Sequence, residues 1–453
     1  MPTPITRRTA VKMAAAALTV PAVYRASQAA PSETLLHVSV GAGGMAGSDI
    51  GSLSASKNLK LVAVADVDTN VFESKGFAEL KKKFPDLKVY QDWREMFDKE
   101  TFDSANISCP DHMHAAPTMR AIQSGKHVYT QKPLTQTIYE ARQLTLAAAK
   151  AKIVSQMGIQ IHSAAEHKTL VELIHGGAIG AVSAVHSWSN KDWGDAAKKP
   201  DRKDDVPKNL DWDKWLGVSA PIPFLGGGYY HPGNWRKRLA FGTGTFGDMG
   251  CHILDPVFGA IGVGNPKCIT STGDAPNETN WGLNCQVEFV FPGSKHTTET
   301  VSLTWYNGQS KPTAEVLKLI EPHKFPGQGS ILIGTKGVLF SPYGGGMPIL
   351  LPSDKFVDYK VPKIGGDNHY VQFVDAARGV GKTSAPFDYA GPLTEMVLLG
   401  CLATRFPKQE LKWDTAKMEV TNLPEANQNP VNHVNPVSKK NWSPVVRRLF
   451  YRL

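Results

Sequence analysis

The sequence predicts an α/β protein of two domains: a doubly wound parallel sheet, then an α+β domain with a large, mostly antiparallel open sheet. Three observations support this fold class. A short apolar strand ends in a glycine-rich turn at residues 41–47. Strands and helices then alternate as far as residue 154, which is typical of a parallel sheet. From residue 155, strands of alternating polar and apolar residues dominate, which is typical of an antiparallel sheet with one covered face.

Residues 1–30 have the composition of an export signal. Arg7 and Arg8 precede an Ala-rich apolar run that is too short to span a bilayer, and the small residues "SQAA" follow it. An ordinary secretory signal also contains such a run. The arginine pair and the weak hydrophobicity of the run favour the twin-arginine route, and we therefore expect a periplasmic protein.

Charge and cysteine content exclude several classes of function. The formal net charge is +9, and four of the positive charges lie in the leader, so that +5 remains for the rest of the chain. Residues 438–453 form a basic tail, but no basic patch with interleaved aromatic residues is present, and we expect no nucleic-acid partner. The five cysteines are scattered and never form CxxC, which excludes a zinc ribbon and a disulfide framework.

The first predicted strand, "LLHVSV" (35–40), runs into a G-x-G-x-x-A turn. Such a turn needs small residues: the first glycine permits the turn, the second lets the backbone approach a pyrophosphate, and the third small residue lets the helix pack closely. The N-terminus of that helix favours the phosphates. The residues predicted to bind a dinucleotide here are Gly41, Gly43, Gly44, Met45 and Ala46.

The second predicted strand, "LKLVAVADVD" (59–68), places Asp66 25 residues after Gly41. An acid at this distance binds the ribose diol of a dinucleotide. Its carboxylate would repel a 2′-phosphate, and no arginine follows at once to receive one. The sequence therefore predicts NAD as the cofactor in preference to NADP.

The alternation continues with a strand over 102–110, a helix over 111–125 that stops at Gly125, and a strand and loop over 126–134. Ligands of doubly wound sheets bind at the carboxyl ends of the strands. The candidate residues at these ends are Pro110, Asp111, His114 and Lys132.

The segment "SGKHVYTQKP" (124–133) resembles the Gfo/Idh/MocA family of nicotinamide-dependent oxidoreductases, whose pattern is AGKHVxxEKP. The resemblance covers most of the chain after the leader, including "CPDHMHAA", "QMGIQIHSA", "ELIHGGAIGAVSAVHSW", "FGTGTFGDMGCHILDP" and "DYAGPLTEMVLLGCLA". It implies a Rossmann dinucleotide-binding domain (31–154) and a catalytic Lys132 with Pro133 as its partner. Gln131 stands where the family usually has glutamate, and we assign it with them to the cofactor site.

In "GDMGCHILD" (247–255), Asp248, His252 and Asp255 stand at i, i+4 and i+7, on one face of a predicted helix. The resemblance implies that Lys132, Asp248 and His252 surround the carbon that exchanges hydride. Either the histidine or the lysine takes the hydroxyl proton, and the other polarises the hydroxyl. Asp248 orients the substrate hydroxyls or the imidazole. The three helix residues are also a conceivable metal-ligand set, but no further ligand cluster is apparent. We therefore expect no metal, and Asp255, before Pro256, is expected to fasten the helix end.

The second predicted domain (155–437) includes the loop "GGGYYHPGNWRKR" (226–238) just before this helix. Sugars bind by stacking on aromatic rings while polar groups fix their hydroxyls. The residues predicted to contact the substrate are Trp193, Tyr230, His231, Trp235 and Arg236. The resemblance also implies that the open face of the second sheet makes homodimer or homotetramer contacts.

These observations predict an NAD-dependent oxidoreductase that acts on a secondary hydroxyl of a sugar or glycoside, at C3 of a pyranoside. The periplasm holds little free NAD, so we expect a tightly bound cofactor and an electron acceptor that regenerates it. A second hypothesis is an NAD-dependent glycosidase that works by transient oxidation at C3, elimination, water addition and re-reduction. A third is a non-catalytic, dinucleotide-bound sugar-binding protein.

Overall fold

The computed structural model describes residues 34–428. The predicted export signal (1–30) and the basic tail (438–453) lie outside the described residues. Within the described range, no helix combines the length and the apolar character needed to cross a membrane.

The first part of the chain forms a six-stranded parallel sheet, which confirms the predicted doubly wound fold. Its strands are β1 (Leu35–Val40), β2 (Leu59–Ala65), β3 (Lys88–Tyr90), β4 (Ser104–Ile107), β5 (His127–Gln131) and β6 (Ser155–Gly158). The spatial order is β3-β2-β1-β4-β5-β6. The strand order reverses between β1 and β4, and ligands of such sheets bind beside this point, beyond the carboxyl ends of the strands.

Five helices connect these strands: α1 (Gly44–Leu53), α2 (Lys75–Lys83), α3 (Trp93–Lys99), α4 (Ala115–Gln123) and α5 (Ile138–Ala151). The local sequence defines where several of them begin. The side chains of Ser74 and Asp92 cap α2 and α3. Thr137 and Glu140 form a capping box at the start of α5, so that two backbone N–H groups find partners.

A second sheet of eight strands follows, and it is mostly antiparallel, as predicted. Its strands are β7 (Val182–Ser189), β8 (Cys268–Ser271), β9 (Cys285–Pro292), β10 (Thr297–Asn307), β11 (Gln328–Gly334), β12 (Val338–Pro342), β13 (Ile349–Leu351) and β14 (Glu410–Leu411). The order is β13-β12-β11-β7-β10-β9-β8-β14, and only β7 and β10 pair in parallel. A short hairpin, β15 (Trp413–Asp414) and β16 (Glu419–Val420), lies beyond it.

Six helices accompany this sheet: α6 (Ala165–His175), α7 (Trp212–Leu216), α8 (Gly244–Ile261), α9 (Ala314–Lys318), α10 (His369–Ala377) and α11 (Phe387–Ala403). Helix α8 is buried along most of its length and packs against α6 and α11. Helix α11 approaches α8 closely because Gly400 has no side chain: a Cβ there would lie 2.0 Å from the ring of Phe246. The packing therefore fixes α8, which carries the predicted catalytic residues.

The prediction that Asp255 fastens the end of this helix is wrong. Helix α8 continues through Pro256 to Ile261 and ends at Gly262, whose φ of +57° suits glycine. Asp255 is a fully buried residue inside the helix, and its partners must therefore come from other elements.

The structure also places the end of the parallel sheet beyond the predicted boundary at residue 154. Strand β6 pairs with β5, so the sheet extends to Gly158. Helix α10 returns from the second domain to the first, where Phe373 and Val374 join the buried cluster that contains Ile50 and Leu53. The segment "SQMG" of β6 has no strand-like alternation, and only its pairing reveals it as a strand.

Candidate functional site

A cavity of about 440 Å³ lies at the carboxyl ends of β1, β2, β4 and β5, between the glycine turn and α8. The predicted site residues that line it are Gly41, Gly43, Gly44, Met45, Asp66, Pro110, His114, Gln131, Lys132, His231, Trp235, Arg236 and His252. The predicted site residues outside its lining are Ala46, Pro133, Trp193, Tyr230 and Asp248. Most of the residues predicted from separate motifs are thus brought to one cavity.

The glycine turn has the geometry that a dinucleotide requires. Gly41 has a φ of +96°, and a Cβ on it would lie 2.8 Å from the carbonyl oxygen of Ser108, so only glycine fits. That Cβ would also lie 3.0 Å from the Cβ of buried Ala46, which explains the third small residue. A Cβ on Gly43 would come within 2.8 Å of Val71. The backbone at the start of α1 therefore stays open to the cavity, and its N–H groups fit a pyrophosphate.

Asp66 ends the second strand beside this turn. Its Oδ2 accepts hydrogen bonds from the backbone N–H groups of Ala42 (2.9 Å) and Gly43 (3.4 Å), and its Oδ1 accepts one from Asp68 (3.0 Å). Burial raises the pKa of Asp66, while these hydrogen bonds lower it. The carboxyl group lies in the cavity wall, where the sequence predicts the contact with the ribose.

Lys132 and Asp248 join the two domains across the cavity. The Lys132 Nζ lies 2.7 Å from Asp248 Oδ1 and donates a second hydrogen bond, of 3.0 Å, to the backbone oxygen of Asp248. The Nε of Arg236 donates to Oδ1 at 3.2 Å, and the Nε1 of Trp193 donates to Oδ2 at 2.9 Å. Burial alone would raise the pKa of Asp248, but the adjacent Lys132 and Arg236 cations hold it well below its usual range. Asp248 is therefore an ionised carboxylate that fixes three side chains.

His252 lies one turn after Asp248 on α8 and reaches the cavity itself. Its Nδ1 is buried and has no hydrogen-bond partner among residues 34–428. Burial, together with the charge of Lys132, lowers the pKa of His252 to about 3. At neutral pH this side chain is an uncharged imidazole with a free nitrogen, which is the state required of a proton acceptor.

Asp111 is a further titratable group in this cavity, and the sequence assigned it only a position at a strand end. Its carboxyl group is buried and accepts a hydrogen bond of 2.8 Å from the Oγ1 of Thr243. Burial raises the pKa of Asp111 to about 7, because it outweighs the opposing charge of Arg236. Asp111 can therefore exchange a proton near neutral pH. Its local sequence, "CPDHMH", gives no sign of this, since the burial comes from distant elements.

Two residues predicted to contact the cofactor have side chains that are engaged within the protein. The ring nitrogens of His114 lie 2.7 Å from the carbonyl oxygens of Pro133 and Cys109, so this histidine ties together the loops after β4 and β5. The Nε2 of Gln131 donates to both carboxylate oxygens of Asp49, at 3.0 and 2.9 Å. The carboxylate of Asp49, in α1, thus lies beside Gln131, at the position where the family usually has glutamate. The sequence analysis missed Asp49.

The predicted substrate loop divides into cavity residues and core residues. Arg236 lies over the ring of Trp235 at 4.2 Å and over that of Trp193 at 5.3 Å, which forms a cationic and aromatic wall next to Asp248. Tyr230 is 2% exposed and packs within an aromatic cluster that includes Trp212. The prediction that Tyr230 contacts the substrate is therefore wrong, since its ring belongs to a satellite core.

A stretch that we call the covering segment (residues 209–232) contributes to the wall of the cavity. It is held to the loop after β2. The N–H of Thr69 donates to the oxygen of Asn209 (2.9 Å), the Asn209 Nδ2 donates to Asp68 Oδ1 (2.6 Å), and His231 Nε2 lies 2.8 Å from Asp68 Oδ2. Trp215 and His231 of this segment line the cavity. A ligand on the glycine turn would thus be partly enclosed.

Residues 36–159 match the family model described as an oxidoreductase family with an NAD-binding Rossmann fold, and residues 168–285 match the corresponding C-terminal alpha/beta domain. The chain is 24% identical over 200 residues to a scyllo-inositol 2-dehydrogenase (NADP(+)) from Bacillus subtilis, which is 44% of this chain and 46% of the relative. It is 24% identical over 178 residues to the levoglucosan dehydrogenase of Pseudarthrobacter phenanthrenivorans, which is 39% of this chain and 38% of the relative.

The chain thus spans less than half the length of these two curated relatives. Among solved structures, GenD2 from gentamicin A biosynthesis, in complex with NAD, superposes with a TM-score of 0.57 at 18% identity. This match covers 85% of this chain and 98% of that one. It shows that the two proteins share a fold.

Proposed function

Since this chain belongs to the Gfo/Idh/MocA family of NAD-binding oxidoreductases, we propose that it transfers hydride between a sugar or glycoside and a tightly bound NAD. The reacting group is a secondary hydroxyl, at C3 of a pyranoside. The observation that carries the proposal is the Lys132–Asp248 ion pair, which lies beside the uncharged His252 and next to the cavity that the glycine turn borders. The relatives named as dehydrogenases of an inositol and of levoglucosan support the substrate class.

The proposed chemistry divides among three side chains. The bound nicotinamide supplies the hydride acceptor or donor. The ammonium group of Lys132, held by Asp248, donates a hydrogen bond to the reacting oxygen. His252 takes the hydroxyl proton on a ring nitrogen. Its low basicity suffices, because a hydroxyl whose carbon is losing hydride approaches a protonated carbonyl, which is a very strong acid. Asp248 also fixes Arg236, so that the wall facing the substrate keeps its orientation.

The covering segment supports the tight retention of the cofactor. The contacts of Asp68 with Asn209 and His231 hold this segment beside the cavity that the glycine turn borders, which favours slow release of a nucleotide. We therefore expect the reduced cofactor to be reoxidised in place, by an electron acceptor or a second sugar. Retention of this kind suits a periplasmic enzyme exported by the twin-arginine route, as the sequence of residues 1–30 predicts.

A redox-cycling glycosidase is the second candidate, and Asp111 favours it. Elimination from a 3-keto glycoside needs a group that removes the C2 proton, which simple dehydrogenation does not require. Asp111 lines the same cavity and has a pKa of about 7, which suits proton exchange at neutral pH. In this cycle the ketone is reduced again, so that no net NADH is formed.

One experiment distinguishes the candidates. The protein without its leader is incubated with a panel of glycosides and no added nucleotide, and product masses and bound NADH are measured. A product two hydrogens lighter, with one equivalent of NADH, supports the dehydrogenase. Free aglycone and sugar without net NADH support the glycosidase. If NAD is bound and no glycoside is changed, the assignment to sugars is wrong.

A further inference from the structure

Asp255 belongs to a cluster that the chemistry above does not use. It lies two turns beyond Asp248 on α8 and is fully buried, and its carboxylate contacts His162 and His167, which line a different cavity. His162 Nδ1 lies 2.9 and 3.1 Å from its two oxygens, and His167 Nδ1 lies 3.1 Å from Oδ2. One ligand atom from each residue falls within 4.8 Å of the others. Ligand atoms around a single tetrahedral ion lie about 3.3 Å apart when the metal–nitrogen distance is about 2.0 Å, which is close to the distances of 2.9 to 3.1 Å between the histidine nitrogens and the Asp255 carboxylate.

His167 provides an independent sign of a missing ligand. Its side chain is 4% exposed. Although its Nδ1 lies 3.1 Å from Asp255 Oδ2, this nitrogen makes no hydrogen bond within the described range. A buried polar atom without a partner is costly. A cation between this nitrogen and the carboxylate would remove that cost.

The groups around the cluster resemble the outer shell of a metal site. The hydroxyl of Tyr389 donates to Asp255 Oδ1 at 2.6 Å, and the His162 ring makes a backbone hydrogen bond to Ser384. Such partners orient the ligands of metal sites and set the tautomer of the histidines. The cluster thus has fixed donors and one negative charge, which favours a divalent ion.

We propose that His162, His167 and Asp255 bind Zn²⁺. Two imidazoles and a carboxylate are ligands that zinc accepts, and three protein ligands leave a fourth position open. The two histidines, together with Lys168 and Thr383, line a cavity of about 950 Å³. This is not the ligand set Asp248–His252–Asp255 considered from the sequence, because Asp248 is engaged with Lys132 and Arg236. The bound ion joins α8 to α6 and to the turn at 160–163.

The test uses Zn²⁺ as the probe and the purified chain after treatment with a chelator. We expect one Zn²⁺ per chain by elemental analysis and calorimetry, and a higher Tm with the metal than without it. His167→Gln should weaken binding at least 100-fold. The matched control, His175→Gln, removes a histidine that stacks on His296 outside the cluster, and it should bind as the wild type does.

Tyr389→Phe removes only the hydroxyl that contacts Asp255 Oδ1 and the backbone oxygen of Asp255, and it is expected to weaken Zn²⁺ binding about 10- to 100-fold. Circular dichroism and NAD binding report whether each variant is folded, and Tyr389→Phe provides the test if His167→Gln is not. Absence of Zn²⁺ binding by the folded wild type would overturn the proposal. Equal binding by both histidine variants would do the same, because the metal would then be adventitious.

Discussion

Replacing Asp66 by asparagine is expected to change the choice between NAD and NADP. The substitution keeps the size of the side chain and an oxygen that can accept the N–H groups of Ala42 and Gly43, but it removes the negative charge. A unit charge at about 4 Å from another interacts with it by about 4 kcal/mol at an effective dielectric constant near 20. Asp66 is partly exposed, so we halve this value to about 2 kcal/mol, which corresponds to about 30-fold in Kd.

NADP⁺ should therefore bind Asp66→Asn about 30-fold more tightly than it binds the wild type. NAD⁺ should bind about 5-fold more weakly, since its ribose loses a charge-assisted hydrogen bond of about 1 kcal/mol. The assay is calorimetric titration of nucleotide-free protein at pH 8, a high pH chosen because burial raises the pKa of Asp66. Glu73→Gln, an exposed neighbour, is the control. An unchanged ratio of the two affinities in folded Asp66→Asn would refute the reasoning, and Asp66 would then only support the glycine turn.

Four further predictions concern catalysis, stability and export. Lys132→Met should lower kcat on the best glycoside about 10²- to 10⁴-fold while NAD⁺ binding persists. Lys126→Met, at the opposite end of β5, should leave kcat unchanged. Asp111→Asn should remove a step near pH 7 from the pH profile of kcat/KM, because burial raises the pKa of Asp111 to about 7. His252, with a pKa of about 3, should contribute no step between pH 5 and 8. In urea titrations, the free energy of unfolding should fall as the pH is lowered from 6.5 to 4. Burial lowers the pKa of three histidines from 6.5 to about 4 in the folded chain, and these are His37, His112 and His114. Because the unfolded chain binds protons at these positions and the folded chain does not, each of them lowers the free energy of unfolding by about 3 kcal/mol over this pH range. Replacing the arginine pair at 7–8 by two lysines should leave the protein in the cytoplasm of a bacterial host, and secretion at the wild-type level would contradict the twin-arginine assignment.

The parts of the fold that the sequence predicted are those with local signals. The glycine turn, the buried strands and the spacing of Asp248 and His252 on one helix each lie within a dozen residues. Their periodicity and their small residues are set by backbone geometry, and the structure places the catalytic candidates around the expected cavity.

The parts that the sequence analysis missed depend on contacts between distant segments. Asp49 meets Gln131 across 82 residues, and Asp255 meets His162 across 93. Tyr230 has the composition of a sugar-binding residue, but its position is decided by packing against Trp212 and Phe241. The role of the covering segment depends on its contacts with Asp68, which lies more than a hundred residues earlier in the chain. No local pattern encodes any of these pairings.

Helix α8 places His252 in the lining of one cavity, and about 10 Å beyond Asp248 along its axis it places Asp255 against His162 and His167, which line another. A helix held this firmly by its neighbours shifts as one body. If the ligands of both cavities distinguish between positions of α8, an occupant of the second cavity changes the affinity of the first. By thermodynamic reciprocity, nucleotide and sugar must change the affinity for that occupant by the same factor. Helix α8 would then couple the two cavities energetically.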